Sequence, residues 1–153
     1  MANFTVTRST EIAAPPATVH ALVDDFHHWV DWSPWEGLDP DLERTYTGPA
    51  SGVRAHYAWK GNSKAGAGSM EITASDPAAI AITLSFLKPW KATNQVRFTF
   101  EPTATGTAVT WTMDGAHTGL GRVFAIFMNM DKLIGKDFEK GLAALKVRAE
   151  RGG

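Results

Sequence analysis

The sequence predicts an α+β domain: a curved antiparallel sheet of about seven strands wrapped around one long C-terminal helix, with two short helices after the first strand. Three observations carry this. Period-two apolar runs fill the middle of the chain, separated by Gly, Pro and Asp clusters. A proline-free segment at 119–150 repeats its apolar residues at helical spacing. Two short helical patterns, each bounded by proline, stand between the first strand and the rest.

The first strand alternates Phe4 and Val6, and with a slip Ile12, against Thr5, Thr7, Arg8 and Ser9. Ala14-Pro15-Pro16 ends it, because proline fixes φ and lacks a donor for the ladder. Pro16 suits a first helical turn, and Val19, Leu22 and Val23 give a short helix over 16–23. A second short helix or turn carries Phe26 to Trp32, and Ser33-Pro34 stops it. Strands are expected near 43–47, 53–60, 66–75, 79–87, 94–102 and 106–114. Their breakers are Gly48-Pro49, Gly61-Asn62, Asp76-Pro77, Lys88-Pro89 and Thr105-Gly106. Ile80, Ile82, Leu84 and Phe86 alternate with Ala81, Thr83 and Ser85; Val96, Phe98 and Phe100 alternate with Arg97, Thr99 and Glu101. One sheet face is therefore apolar and the other polar. On the last helix, Leu120, Val123, Phe124, Phe127, Ile134, Phe138, Leu142 and Leu145 form one stripe. At 1.5 Å per residue that helix is about 45 Å long, enough to cross the sheet. A sheet curled around one helix tends to leave a concave apolar pocket between them.

The chain is 153 residues, read as a single domain over 1–153. It has no cysteine, which excludes a disulfide scaffold, thiolate zinc or iron–sulfur sites and a cysteine nucleophile. A net charge of -1 argues against nucleic acid as partner. No apolar signal core opens the chain, and no stretch approaches the ~20 apolar residues of a membrane span. A cytoplasmic location without stable membrane insertion is expected. Neither a phosphate-binding glycine loop nor a Ser-His-Asp pattern is present, and no cofactor is expected. His27, His28 and Asp31 offer no third ligand at a useful spacing, so no metal is expected.

Several segments resemble the START-like, helix-grip superfamily, also called SRPBCC or polyketide cyclase/dehydrase-like, and in particular its small bacterial members. Glu11-Ile12-Ala13-Ala14-Pro15-Pro16-Ala17-Thr18-Val19 resembles its first strand running into its first helix. Phe26-His27-His28-Trp29 with Trp32-Ser33-Pro34-Trp35 resembles the tryptophan-rich segment that follows. Gly48-Pro49 to Gly52, Tyr57 to Asn62, Gly106 to Trp111 and Asp131 to Leu142 continue the likeness over essentially the whole chain. The resemblance implies an apolar ligand held between sheet and long helix. Lipid, polyketide and aromatic metabolite are all open, and protein partners are unknown. An enzyme of the cyclase/dehydrase type and a protein-interaction module with a filled core stand as alternatives.

For a ligand site, the sheet would contribute Tyr57, Trp59, Met70, Phe86, Phe98 and Trp111. The helix would contribute Phe124, Phe127, Met128 and Asp131. Asp131 lies about 40° from the centre of the apolar stripe, where a carboxylate needs a partner or a proton. It reads either as a polar anchor for a ligand or as a structural carboxylate. Asp131, Tyr57 and His117 are the candidate catalytic groups for proton transfer. Trp29, Trp32 and Trp35 recur every third residue, as a lid over the cavity or a plug for one end of the core. Trp90, after Lys88-Pro89, has no assigned place.

Overall fold

Seven antiparallel strands form one open sheet in the order β1-β7-β6-β5-β4-β3-β2. The strands are β1 (Asn3–Ile12), β2 (Glu43–Thr47), β3 (His56–Lys60), β4 (Ala67–Asp76), β5 (Ala79–Lys88), β6 (Ala92–Pro102) and β7 (Thr107–Ala116). Helix α1 (Pro16–Asp24) and a 3-10 helix (Phe26–Asp31) follow β1, and helix α2 (Met130–Arg151) ends the chain. This computed structural model describes residues 3–34, 39–63, 65–88, 91–116 and 130–151; for 3, 4, 116 and 130–133 it describes the backbone alone. The helix expected from 119 is thus described from Met130 onward.

The chain runs β2 to β7 as consecutive hairpins, and β1 closes the order by pairing with β7 from Asn3↔Ala116 to Ile12↔Thr107. Local chemistry makes the turns. Asp76 Oδ1 accepts the backbone N–H groups of Ala78 and Ala79, at 2.8 and 2.9 Å, and turns β4 into β5. At the β6–β7 turn, a Cβ on Gly106 would fall 2.0 Å from the Ile12 carbonyl oxygen, so only glycine lets the two chain segments cross there.

Two strand expectations change. β1 runs without a slip: Val6, Arg8 and Ile12 share its inner face, and Arg8 lies directly opposite Trp111. Arg8 is tolerated there because its Nε donates to Glu139 Oε2 at 2.9 Å and its guanidinium lies over Gly135, which has no side chain to displace it. β3 begins at His56, not at 53. Arg54 has φ 79°, and Arg54 N and Ala55 O both bond to Ile72, at 2.8 and 3.0 Å. Two residues facing one is a bulge, and it delays the regular ladder.

The core lies between the inner sheet face and the helices. Val6, Ile12, Ile72, Ile80, Ile82, Phe98, Val109 and Trp111 meet Val19 and Val23 of α1 and Phe138, Leu142, Leu145 and Ala149 of α2. The described part of α2 packs on β1, α1 and the 3-10 helix. Two surface carboxylates tie β1 to its surroundings. Hydroxyls of Thr105 and Thr103, with Lys146 nearby, hold the Glu11 carboxyl below its ordinary value. Lys146 and the Ala13 N–H do the same for Glu150.

Candidate functional site

The inner face divides into two halves. In the closed half, rings fill the space. Trp111 stacks on Phe138 at 4.0 Å between centroids and on Phe98 at 4.8 Å. Trp29 and Trp32, 4.5 Å apart, add their edges to the same cluster. Their indole N–H groups donate to the carbonyls of Val23 and Leu22, the last turn of α1, at 2.9 and 3.0 Å. Both residues are buried to within a few per cent, so this pair is a plug rather than a lid. Trp35 lies outside the described residues. Helix α2 makes room for the cluster with Gly141, where a Cβ would fall 2.8 Å from Pro34 and 2.9 Å from the Trp111 ring.

The open half lies across β3, β4, β5 and the start of β6. Tyr57, Met70, Leu84 and Asn94 are buried there, while Trp59 and Phe86 are half-buried. Tyr57 and Trp59 are nearly parallel at 6.1 Å, and Phe86 meets Trp59 edge-on at 5.9 Å. Gly68 makes this wall possible. A Cβ on it would lie 2.6 Å from the Trp59 ring and 2.4 Å from the Ser85 carbonyl oxygen. The Gly66-Ala67-Gly68 stretch is thus a close-packing site with a register shift between Ala67 and Gly68. The Trp59 indole N–H donates to the Ala65 carbonyl at 3.0 Å, which fixes the ring.

Asn94 was not among the residues the sequence singled out. It is 6% exposed and two residues before Val96, so its amide shares the inner face with Val96, Phe98 and Phe100. The alternation already gave that parity; its polar side chain concealed it. A buried amide on an apolar wall is a group that seeks a polar partner.

The structure brings Tyr57, Trp59, Met70 and Phe86 together and places Phe98 and Trp111 in the closed half. His117, Phe124, Phe127 and Met128 lie outside the described residues, as does the side chain of Asp131. Among the histidines near the plug, His27 and His28 turn to Asp25, while Asp31 pairs with Arg148 at 3.4 Å.

A curved sheet, a closed end and an aromatic wall at the other end now stand beside a family match. Residues 3–150 match the family described as polyketide cyclase / dehydrase and lipid transport. The chain belongs to that family. Solved structures share the fold at low identity. A Chromobacterium violaceum protein, CV1439, is 14% identical, with 95% of this chain and 96% of that one covered and a TM-score of 0.67. An uncharacterized protein from Rhizobium leguminosarum is 17% identical over 98% and 96% of the two chains, at a TM-score of 0.70. The di-domain ARO/CYC BexL, from the BE-7585A biosynthetic pathway, is 16% identical at a TM-score of 0.68; 97% of this chain matches 50% of that one. No curated protein matches this chain. The polyketide cyclase/dehydrase and lipid transport family supplies an α+β helix-grip scaffold here, with a seven-stranded sheet and a C-terminal helix. Among the described residues, no helix is long and apolar enough to cross a membrane.

Proposed function

We propose that this family member binds a small apolar molecule between the open half of the sheet and the C-terminal helix. The observation that carries the reading is the half-buried Trp59–Phe86 wall beside the buried Asn94 amide. A closed core buries such rings fully, as this protein does with Trp111 and Phe98; a binding wall leaves them accessible to a ligand. Tyr57, Met70 and Leu84 form the floor, and Phe98 and Trp111 back it from the closed half. On this proposal Phe124, Phe127 and Met128 would supply the opposite wall, and Asp131 a polar contact. Asn94 offers both a donor and an acceptor, so the favoured ligand is largely apolar with one polar group. Lipid, polyketide and aromatic metabolite all meet that description.

Native mass spectrometry of protein purified from its source tests this. A retained mass that solvent extraction releases, and that restores thermal stability when added back, is the expected result. No retained mass, together with no stabilisation by any apolar class, would overturn the proposal.

A further inference from the structure

A cleft of about 280 Å³ opens between the 3-10 helix, β2 and the β2–β3 connection. Phe26, His27, Tyr46, Pro49, Ala55 and His56 are among its walls. It adjoins the inner face: its walls Phe26 and Tyr46 have ring centroids 6.1 and 5.2 Å from Tyr57.

The chemistry in this cleft is held in place. Asp25 Oδ1 accepts the backbone N–H of His27 at 2.9 Å and lies 2.7 Å from His27 Nδ1. The imidazole also lies flat on the Tyr46 ring, 4.0 Å between centroids and 20° from parallel. Capping the 3-10 helix needs only the backbone bond, and a phenyl group would stack equally well. The imidazole adds a fixed tautomer. In the neutral imidazole the proton between the two groups is on Nδ1, because an ionised carboxylate only accepts, and Nε2 then carries the lone pair. Among the described residues, nothing bonds to that nitrogen. His56 of β3 also lines the cleft.

The outer wall is equally fixed. Gly48 has φ 77°, and a Cβ there would fall 2.4 Å from the Arg54 carbonyl oxygen. Gly52 N donates to Asp24 O at 3.1 Å, which ties the connection to the end of α1.

We propose that this cleft is a binding site for a one-ring phenol or enol. Its hydroxyl donates to His27 Nε2, and its apolar body lies against Phe26, Pro49 and Ala55. The volume of about 280 Å³ accommodates a single substituted ring. A carboxylate ligand is disfavoured, because it accepts where Nε2 needs a donor and meets the charge of Asp25.

The test is a titration with 4-nitrophenol, read by its phenolate absorbance and by the ¹⁵N resonance of His27 Nε2 in ring-labelled protein. The expected result is saturable binding, with that resonance moving at the same midpoint. His27→Phe keeps a ring on Tyr46 and should weaken binding about tenfold, the loss of one hydrogen bond. No saturation, or saturation that leaves the His27 resonance unmoved and survives His27→Phe, overturns the proposal; the latter places the probe on the inner face. If His27→Phe does not fold, the resonance in the unaltered protein decides alone.

Discussion

The two halves of one sheet face use the same residue types to different ends. In the closed half, Trp29, Trp32, Phe98, Trp111 and Phe138 pack ring on ring, and the two plug indoles find carbonyls of α1. In the open half, Trp59 and Phe86 stand at right angles and half-buried over a glycine, with a buried amide alongside. Close stacking stabilises a fold, whereas an accessible aromatic wall leaves apolar surface to be satisfied by something else. Among the described residues, α2 packs chiefly on β1 and α1 on β6, beside the closed half.

Substitutions should separate the halves. Trp111→Ala removes the ring at the centre of the closed half and should cost ~3–5 kcal/mol in denaturant unfolding. Trp59→Ala removes a half-buried ring and should cost about half as much while weakening binding of an apolar ligand. Equal stability losses would erase the distinction between the halves. Gly141→Ala pushes a methyl group against Pro34 and Trp111, an overpacking cost of ~1–3 kcal/mol. Better helix propensity offsets it by ~1 kcal/mol, so a modest net loss in melting temperature is expected.

The smallest effect is electrostatic. Glu11 and Glu150 titrate below their ordinary value of 4.5 in the folded protein. A carboxyl depressed by folding contributes stability above its unfolded pKa, and that contribution fades as pH falls through the folded one. Melting temperature should therefore decline below about pH 4.5. Glu150→Gln should flatten part of that decline; an unchanged pH profile would remove the role given to the Lys146 and Ala13 contacts.

Most of the architecture was legible because alternation and breakers act locally. Ile80 to Phe86 and Val96 to Phe100 announced their strands and their inner face. What local pattern cannot carry is pairing. Arg8 reads as a solvent residue until β1 is set against β7, which places it opposite Trp111 and over a glycine more than a hundred residues away. The late start of β3 depends on a left-handed Arg54, a residue type that gives no turn signal. In the site, Tyr57, Trp59, Met70 and Phe86 followed from apolar parity, while Asn94 escaped because the same parity put a polar side chain inside. The Asp25–His27 pair escaped for another reason: two residues apart in sequence, they meet only through the cap of a 3-10 helix and the Tyr46 stack.

The account stands on the open half being a ligand wall. Titration with N-phenyl-1-naphthylamine, a neutral apolar fluorophore, reads this directly through energy transfer from tryptophan. One saturable site is predicted, with affinity reduced in Trp59→Ala and Phe86→Ala relative to the unaltered protein. Absence of saturable binding, or an affinity indifferent to both substitutions, would contradict it.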